Sequence, residues 1–270
     1  MQRRMTRPLR IATWNINSMR LRFGLLAQLA EALDPDVICL QETKVPDELF
    51  PHEGLPALGY PHFVRAGMKG YNGVAILSRR PLTHVTTTPD WCAKGDCRHV
   101  AADIETSSGP VTVHNFYVPA GGDVPDPETN VKFAHKLAFV AEARAWFASH
   151  PPRRSVLVGD LNIAPLEHDV WSHRQLLGIV SHTPAETEGL LAWQAEGFVD
   201  AVRRFVPDSE KLYTWWSYRN RDWRGSDRGR RLDHVWATPD LSPTGYTILK
   251  DARDWVQTSD HVPVCVTFDA

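Results

Sequence analysis

The sequence predicts an α/β protein in which two β-sheets pack together and helices cover them. Three observations lead there. Short segments rich in Val and Ile recur along the chain, each bounded by turn residues, which is the pattern of strands. Helical periodicity is confined to a few stretches. Strands and helices do not alternate strictly, which argues against a purely parallel sheet.

Strands are expected at 9–16, 36–41, 73–77, 100–105, 111–117, 156–159, 213–216, 232–237, 246–250 and 262–268. Ser107-Ser108-Gly109-Pro110 reads as a hairpin turn between the fourth and fifth of these. Leu21, Leu25, Leu29 and Leu33 recur every four residues and give a first helix one apolar face. A second helix is expected over 128–147, with Phe133, Leu137, Val140, Arg144 and Phe147 on one face and Lys132 and Lys136 elsewhere. A third is expected over 186–195, opened by Thr187 or a neighbour. No linker, repeat or low-complexity tract divides the 270 residues, so one domain spanning 1–270, with its core at about 9–268, is the expectation.

Hydrophobic residues make up 43% of the chain and charged residues 23%, enough apolar material for a sizeable core. No apolar run approaches the ~20 residues that span a bilayer. The Arg-rich start has no apolar stretch of the kind a secretory leader needs, and a strand-like run beginning at Leu9 leaves little to cleave as a mitochondrial one. The formal net charge of −2 means that any phosphate-binding surface must be a local patch. Cys39 and Cys265 lie in apolar runs and read as core, and Cys92 and Cys97 lack a second pair at zinc spacing. With no disulfide framework, a reducing cytoplasm is expected.

Polar clusters close or open many of the strands: Trp14-Asn15-Ile16-Asn17, Gln41-Glu42-Thr43-Lys44, Asn115-Phe116-Tyr117, Gly159-Asp160-Leu161-Asn162, Leu232-Asp233-His234 and Ser259-Asp260-His261. Taken singly, each is commonly a turn or cap. As a set they carry chemistry. Glu42, Asp160 and Asp260 are hard oxygen donors of the kind Mg²⁺ prefers. Asn15 and Asn162 can coordinate or donate to a phosphate oxygen. His261 and Tyr117 can stabilise charge or move protons, and Asp233 can orient a histidine.

The ordered series Trp-Asn-Ile-Asn, Gln-Glu-Thr-Lys, Tyr-Asn-Gly-Val-Ala-Ile, Tyr-Val-Pro, Gly-Asp-Leu-Asn-Ile-Ala-Pro, Tyr-Thr-Trp-Trp, Arg-Leu-Asp-His and Ser-Asp-His-Val-Pro resembles the exonuclease–endonuclease–phosphatase superfamily, and within it the exonuclease III-type abasic endonucleases. The resemblance implies a four-layered α/β sandwich of two mainly antiparallel or mixed sheets. It implies that Glu42 with Asn15 holds Mg²⁺, for which Mn²⁺ substitutes, with Asp160, Asn162 and Asp260 also on the metal side. Asp160 would deprotonate the attacking water and Asn162 orient it. Asp233 would pair with His261, which contacts the scissile phosphate, and Tyr117 would face the phosphate or the leaving oxygen. Lys44 and Asn72 would touch DNA. The implied partner is double-stranded DNA with abasic sites or 3′ ends, handled by a monomer in the cytoplasm at the nucleoid, with no membrane and no organic cofactor.

This sequence departs from the family pattern at three places. Asn17 stands where some relatives carry Asp, Ala120 follows Tyr-Val-Pro where Asn or Gln is expected, and Arg230 stands where some relatives place an aromatic residue. The stretch 217–233 holds Arg219, Arg221, Arg224, Arg228, Arg230 and Arg231 beside Trp215, Trp216 and Trp223. It reads either as a solvated loop or as a DNA-contacting one, with Arg on phosphates and Trp215 as an apolar wall. Two rivals compete: a sister phosphodiesterase of the same fold (deoxyribonuclease I-like, or acting on inositol phosphates or sphingolipids) and an inactive DNA-binding protein. Tyr117 speaks against the first, and retention of Glu42, Asp160, Asn162, Asp233 and His261 against the second.

Overall fold

The computed structural model describes residues 8–270; the Arg-rich segment considered above as a leader lies mostly outside them. Twelve strands follow in chain order: β1 Leu9–Asn15, β2 Val37–Gln41, β3 His62–Ala66, β4 Val74–Ser78, β5 Leu82–Thr86, β6 His99–Ile104, β7 Val111–Tyr117, β8 Ser155–Asp160, β9 Val199–Asp200, β10 Asp233–Ala237, β11 Ser242–Ile248 and β12 Val264–Asp269. The helices are α1 Met19–Arg22, α2 Leu25–Leu33, α3 Val131–Ser149, α4 His173–Leu176, α5 Pro184–Gln194 and α6 Trp223–Ser226.

The strands form two six-stranded mixed sheets, ordered β11-β12-β1-β2-β4-β3 and β5-β6-β7-β8-β10-β9. Each contains one parallel pair, β1 with β2 and β7 with β8, among antiparallel neighbours. Alternation of side chains along a strand sends every second residue to the opposite face, and here both faces are apolar. Leu9, Ile11, Val37, Cys39 and Ile76 of one sheet meet Val100, Val113, Val156, Val158 and Val235 of the other in a central core. The outward residues Ala12, Trp14, Ile38 and Leu40 pack under Leu26, Leu29 and Leu33 of α2. Phe116, Leu157 and Trp236 pack under Phe139, Phe147, Leu190 and Trp193 of α3 and α5. Helix, sheet, sheet and helix make the four layers that the resemblance implied.

Several expectations change. The first helix breaks at Phe23-Gly24 into α1 and α2, and Leu21 is 54% exposed, off the apolar face. Lys136 is fully buried on the inward face of α3, whereas Leu137 is half-buried and Arg144 exposed. The reason is a buried counter-charge, Glu186 of α5, which pairs with the Lys136 ammonium. α5 begins at Pro184, capped by Thr183, with Glu186 completing the reciprocal capping box. Segment 213–216 is not a strand; Trp215 makes only isolated bridges, to Arg230 and His261. β3, β5 and β9 were not foreseen. β5 is mostly exposed and polar, and β9 has two residues, so neither carries a strong pattern.

Candidate active site

The two parallel pairs end at the same edge of the sandwich. Asn15 lies opposite Gln41 where β1 and β2 end. Tyr117 lies opposite Asp160 where β7 and β8 end, and Asp160 faces Asp233 at the start of β10. Below them Gln41 Nε2 donates to Asn115 Oδ1 at 2.7 Å, tying the two sheets together. Within the second sheet Gly159 lets β8 approach β7: its φ is +141°, and a Cβ there would stand 1.9 Å from the Phe116 carbonyl oxygen.

Asn15 is the hub. Its Nδ2 donates to Asp160 Oδ2 at 2.8 Å and to Glu42 Oε1 at 3.0 Å. Its Oδ1 accepts the backbone N–H of Asn17 at 3.0 Å, which fixes the amide orientation. In this arrangement Asn15 presents N–H groups, not oxygen, to the carboxylates. Tyr117 donates its hydroxyl to Glu42 Oε1 at 2.8 Å, and Lys44 Nζ sits 2.6 Å from Glu42 Oε2. Burial disfavours the Glu42 charge, but Lys44, Asn15 and Tyr117 outweigh it and hold the carboxyl below its usual range. Burial, reinforced by the Glu42 charge, raises the Tyr117 pKa well above normal, so the phenol keeps its proton.

Asp160 Oδ1 accepts the backbone N–H of Asn162 at 2.9 Å, and Asn162 Nδ2 donates to the Val118 carbonyl at 2.8 Å. His261 Nδ1 lies 2.8 Å from Asp233 Oδ2, and its Nε2 lies 3.6 Å from Asp160 Oδ2. Thr214 donates to the same Asp233 oxygen at 2.7 Å. Burial alone would strip His261 of its proton, but Asp233 and Asp160 prevail and raise its pKa to about 10. Burial pushes Asp160 up to about 7 against the pull of His261. A base poised near neutrality thus stands beside an imidazolium. Glu42, Lys44 and Asn162 also occupy the left-handed region, at φ of 51°, 52° and 54°; such strain concentrates at functional sites.

Glu42, Asn162 and His261 line a cleft of about 520 Å³ together with Trp215, Arg219, Arg230, Leu232 and Asp260. Asp260 Oδ2 accepts from Trp215 Nε1 at 2.9 Å, and its Oδ1 lies 3.4 Å from Asn17 Nδ2. The donor chemistry suits a divalent cation. Glu42 and Asp160 converge on one amide nitrogen, the Nδ2 of Asn15, at 3.0 and 2.8 Å. Hard carboxylate oxygens brought to one point are the donors such an ion takes. Asp160, Asp233 and His261 also have ligand atoms within 4.8 Å of one another, but Asp233 already holds His261 Nδ1 and His261 Nε2 faces Asp160, so these atoms are engaged with one another.

The expected DNA-contacting residues divide. Arg221 and Arg228 are exposed, Arg228 over the Trp171 ring. Arg224 is corrected: it pairs with Asp251 at 2.7 Å and Asp254 at 2.6 Å, so its charge is offset within the protein. Trp215 is not a bare apolar wall, since its indole N–H holds Asp260 and Arg230 lies over its ring. Asn72 is held beside Lys44, whose backbone N–H donates to its carbonyl at 2.9 Å, and its Nδ2 donates to the Asp96 carbonyl at 2.9 Å. The sequence reading missed Lys136, whose Nζ donates to the Asn162 carbonyl at 2.8 Å and so supports that loop from below. The box Thr183-Pro184-Ala185-Glu186 marks a helix start but not the burial of Glu186, so the sequence carries no signal for this pair.

The chain matches the model of the Endonuclease/Exonuclease/phosphatase family over residues 12–261. It is 31% identical to exodeoxyribonuclease III of Haemophilus influenzae, over 96% of this chain and 100% of that one. Against the DNA repair nuclease APEX1 of Danio rerio it is 29% identical, over 95% of this chain and 81% of the other. The solved AP endonuclease of Archaeoglobus fulgidus superposes with a TM-score of 0.88 at 31% identity, covering 97% of this chain and all of that one. The 3′ phosphatase NExo of Neisseria, solved with a product DNA hairpin, gives the same score at 29% identity and the same coverage. This chain belongs to the Endonuclease/Exonuclease/phosphatase family, on the branch of the exodeoxyribonuclease III and AP endonuclease proteins.

Proposed function

We propose that this chain is a Mg²⁺-dependent DNA repair phosphodiesterase that incises duplex DNA at abasic sites and removes 3′ nucleotides and 3′ blocking groups. The observation that carries the reading is the buried Asp160, fixed by Asn15 and Asn162 beside the His261–Asp233 pair. Relatives named for exodeoxyribonuclease III, AP endonuclease and 3′ phosphatase activity support the substrate class. The chain is taken to act as a monomeric single domain, in the cytoplasm at the nucleoid. No helix among the described residues is long and apolar enough to cross a membrane.

Hydrolysis of a phosphodiester needs an aligned water, a base for its proton, and positive charge at the non-bridging oxygens. Asp160 is the base: both its oxygens are held by N–H donors, so its lone pairs have a fixed direction. The imidazolium of His261, kept charged by Asp233, stabilises negative charge developing on the phosphate. Asn162 orients the water, and Tyr117 and Lys44 keep Glu42 ionised and in place. Mg²⁺ held by Glu42 and Asp160 would supply Lewis-acid polarisation of a phosphoryl oxygen.

Digestion of a labelled duplex bearing one abasic analogue tests this. Incision is expected with Mg²⁺ or Mn²⁺ and none with excess chelator, and Glu42→Gln should raise the Mg²⁺ requirement at least tenfold (about 1.4 kcal/mol of ion affinity). Full activity in chelator, or turnover of small phosphodiesters with none on DNA, overturns the reading.

A further inference from the structure

Arg230 is unlike the other arginines of its segment. Arg231, next to it, is fully buried between Asp200 and Asp169, and Arg224 is paired with Asp251 and Asp254. Among the described residues no carboxylate lies within ion-pair distance of Arg230. Its Nη1 donates instead to the Val180 carbonyl at 3.0 Å and to Ser181 Oγ at 2.6 Å. Its backbone exchanges hydrogen bonds with Trp215 in both directions at 3.0 Å, and its guanidinium carbon lies 5.6 Å from the centroid of that ring. Nε and Nη2 have no protein acceptor among the described residues, yet the side chain lines the same cleft as His261 and Asn162.

The side chain is also held in place. Ser181 offers its backbone N–H to Glu186 at 2.9 Å, Glu186 pairs with Lys136, and Lys136 donates to the Asn162 carbonyl at 2.8 Å. A buried ion pair thus links the Arg230 anchor to the loop that carries Asn162. A guanidinium stays charged and offers five N–H donors in a rigid fork. One anchored arm leaves the others free to take an oxyanion bidentately, with little rotamer entropy left to lose. A neutral abasic sugar gives these donors nothing comparable.

We propose that Arg230 is a specificity-determining residue that turns the wall of the cleft into an anion subsite, so that this enzyme prefers 3′ ends on which the group esterified to the scissile phosphate carries its own negative charge over an uncharged abasic sugar. The chemical class is a phosphodiester to a small acid, with either a carboxylate or a second phosphate as the recognised group. This rests on the reading of the cleft as the phosphodiesterase site given above.

The test uses the full chain with Mg²⁺ and three duplexes: one ending in 3′-phosphoglycolate, one ending in a 3′-phosphodiester to 2-hydroxyethyl phosphate (the phosphorylated end), and one with an internal tetrahydrofuran abasic analogue. Loss of a hydrogen bond to a charged group corresponds to about tenfold to hundredfold in kcat/KM. Arg230→Met should lose that much on the glycolate end, the phosphorylated end or both, which tells carboxylate from phosphate. On the tetrahydrofuran duplex it should change less than about threefold, and Arg230→Lys should recover part of the loss. Equal loss on all three duplexes, or no loss on either charged end, overturns the proposal. Should Arg230→Met not fold, free phosphoglycolate must inhibit the unsubstituted enzyme more tightly than ethyl phosphate does. Equal inhibition overturns the proposal as well. A failure of the site reading itself looks different, since the unsubstituted chain would then cleave none of the three duplexes.

Discussion

Asp-His occurs at 233–234 and again at 260–261, and the molecule uses the two histidines in opposite ways. His261 lies between two carboxylates, 2.8 Å from Asp233 and 3.6 Å from Asp160, and its pKa is raised to about 10. His234, one residue along β10 from that same Asp233, points to the opposite face of the strand. There it meets the Ile163 carbonyl at 2.8 Å and the edge of Trp236. Burial and the nearby Arg231 charge lower its pKa to about 3. Both rings are buried, so burial does not decide the outcome. The carboxylates within reach do. Alternation along one strand separates Asp233, which serves the site, from His234, which serves the packing. An Asp-His dipeptide therefore predicts nothing about protonation until each side chain's face is known.

The largest effect should come from removing the charged histidine or the base beside it. Asp160→Asn and His261→Asn should each lower the single-turnover rate on an abasic duplex by about 10²–10⁴-fold, with duplex affinity within a few-fold of normal. The contrasting substitution, His234→Gln, should leave that rate within about threefold, because its ring never meets the cleft. A drop of less than tenfold for His261→Asn would remove it from the chemistry, and a large drop for His234→Gln with stability intact would erase the contrast.

A smaller effect should follow from cutting the link between the two dipeptides. Asp233→Asn keeps a hydrogen-bonding group near His261 Nδ1 but takes away the carboxylate that contributes most to its proton affinity. Below neutral pH the imidazolium persists and the rate should fall by about tenfold or less, within what a modest change in electrostatic stabilisation costs. Above neutrality the loss should widen, as the alkaline limb of the pH–rate profile moves from near 10 toward the ordinary histidine value of about 6.5. An unmoved limb would mean that Asp233 only packs.

How much of this was legible in the sequence follows from what each residue contacts. Polar residues at the ends of Val/Ile-rich strands mark an edge, and Glu42, Tyr117, Asp160, Asp233 and His261 were identified that way. Tyr117, Asp160 and Asp233 are neighbours in the register of one sheet, a regular geometry that pattern alone anticipates, whereas Glu42 and His261 reach them from the ends of strands in the other sheet. The wall could not be read in the same way. Whether Arg224 is free depends on Asp251 and Asp254, some 30 residues on. Whether Lys136 is inside depends on Glu186, which arrives from another helix. Side-chain amide orientation is hidden too: nothing in Trp-Asn-Ile-Asn shows that the Asn17 N–H will claim the Asn15 carbonyl. Charge pairing across loops leaves no period in the sequence.

The smallest effect is on stability, and its sign separates the two histidines. A group whose folded pKa lies below its unfolded value favours the fold only above the unfolded value, and that contribution is lost as pH falls toward the folded one. His234 is such a group, with a folded value of about 3 against 6.5, and His114, at about 4 through burial, is another. His261 has the reverse sign: its contribution is full below about 6.5 and is lost as pH rises through about 10. Acidification from pH 6.5 to 4.5 should therefore weaken the fold through His234 and His114 while leaving the His261 contribution in place. A tenfold change in proton affinity is worth about 1.4 kcal/mol, so over these two pH units each buried neutral histidine should cost about 2 kcal/mol. Urea unfolding at the two pH values measures it. In His234→Gln, where the amide can still donate to the Ile163 carbonyl, the difference between the two pH values should shrink by that amount. In His261→Asn it should not shrink, and the alkaline loss should disappear instead. If both substitutions flatten the acid side equally, the two rings titrate alike and the opposition between them is wrong.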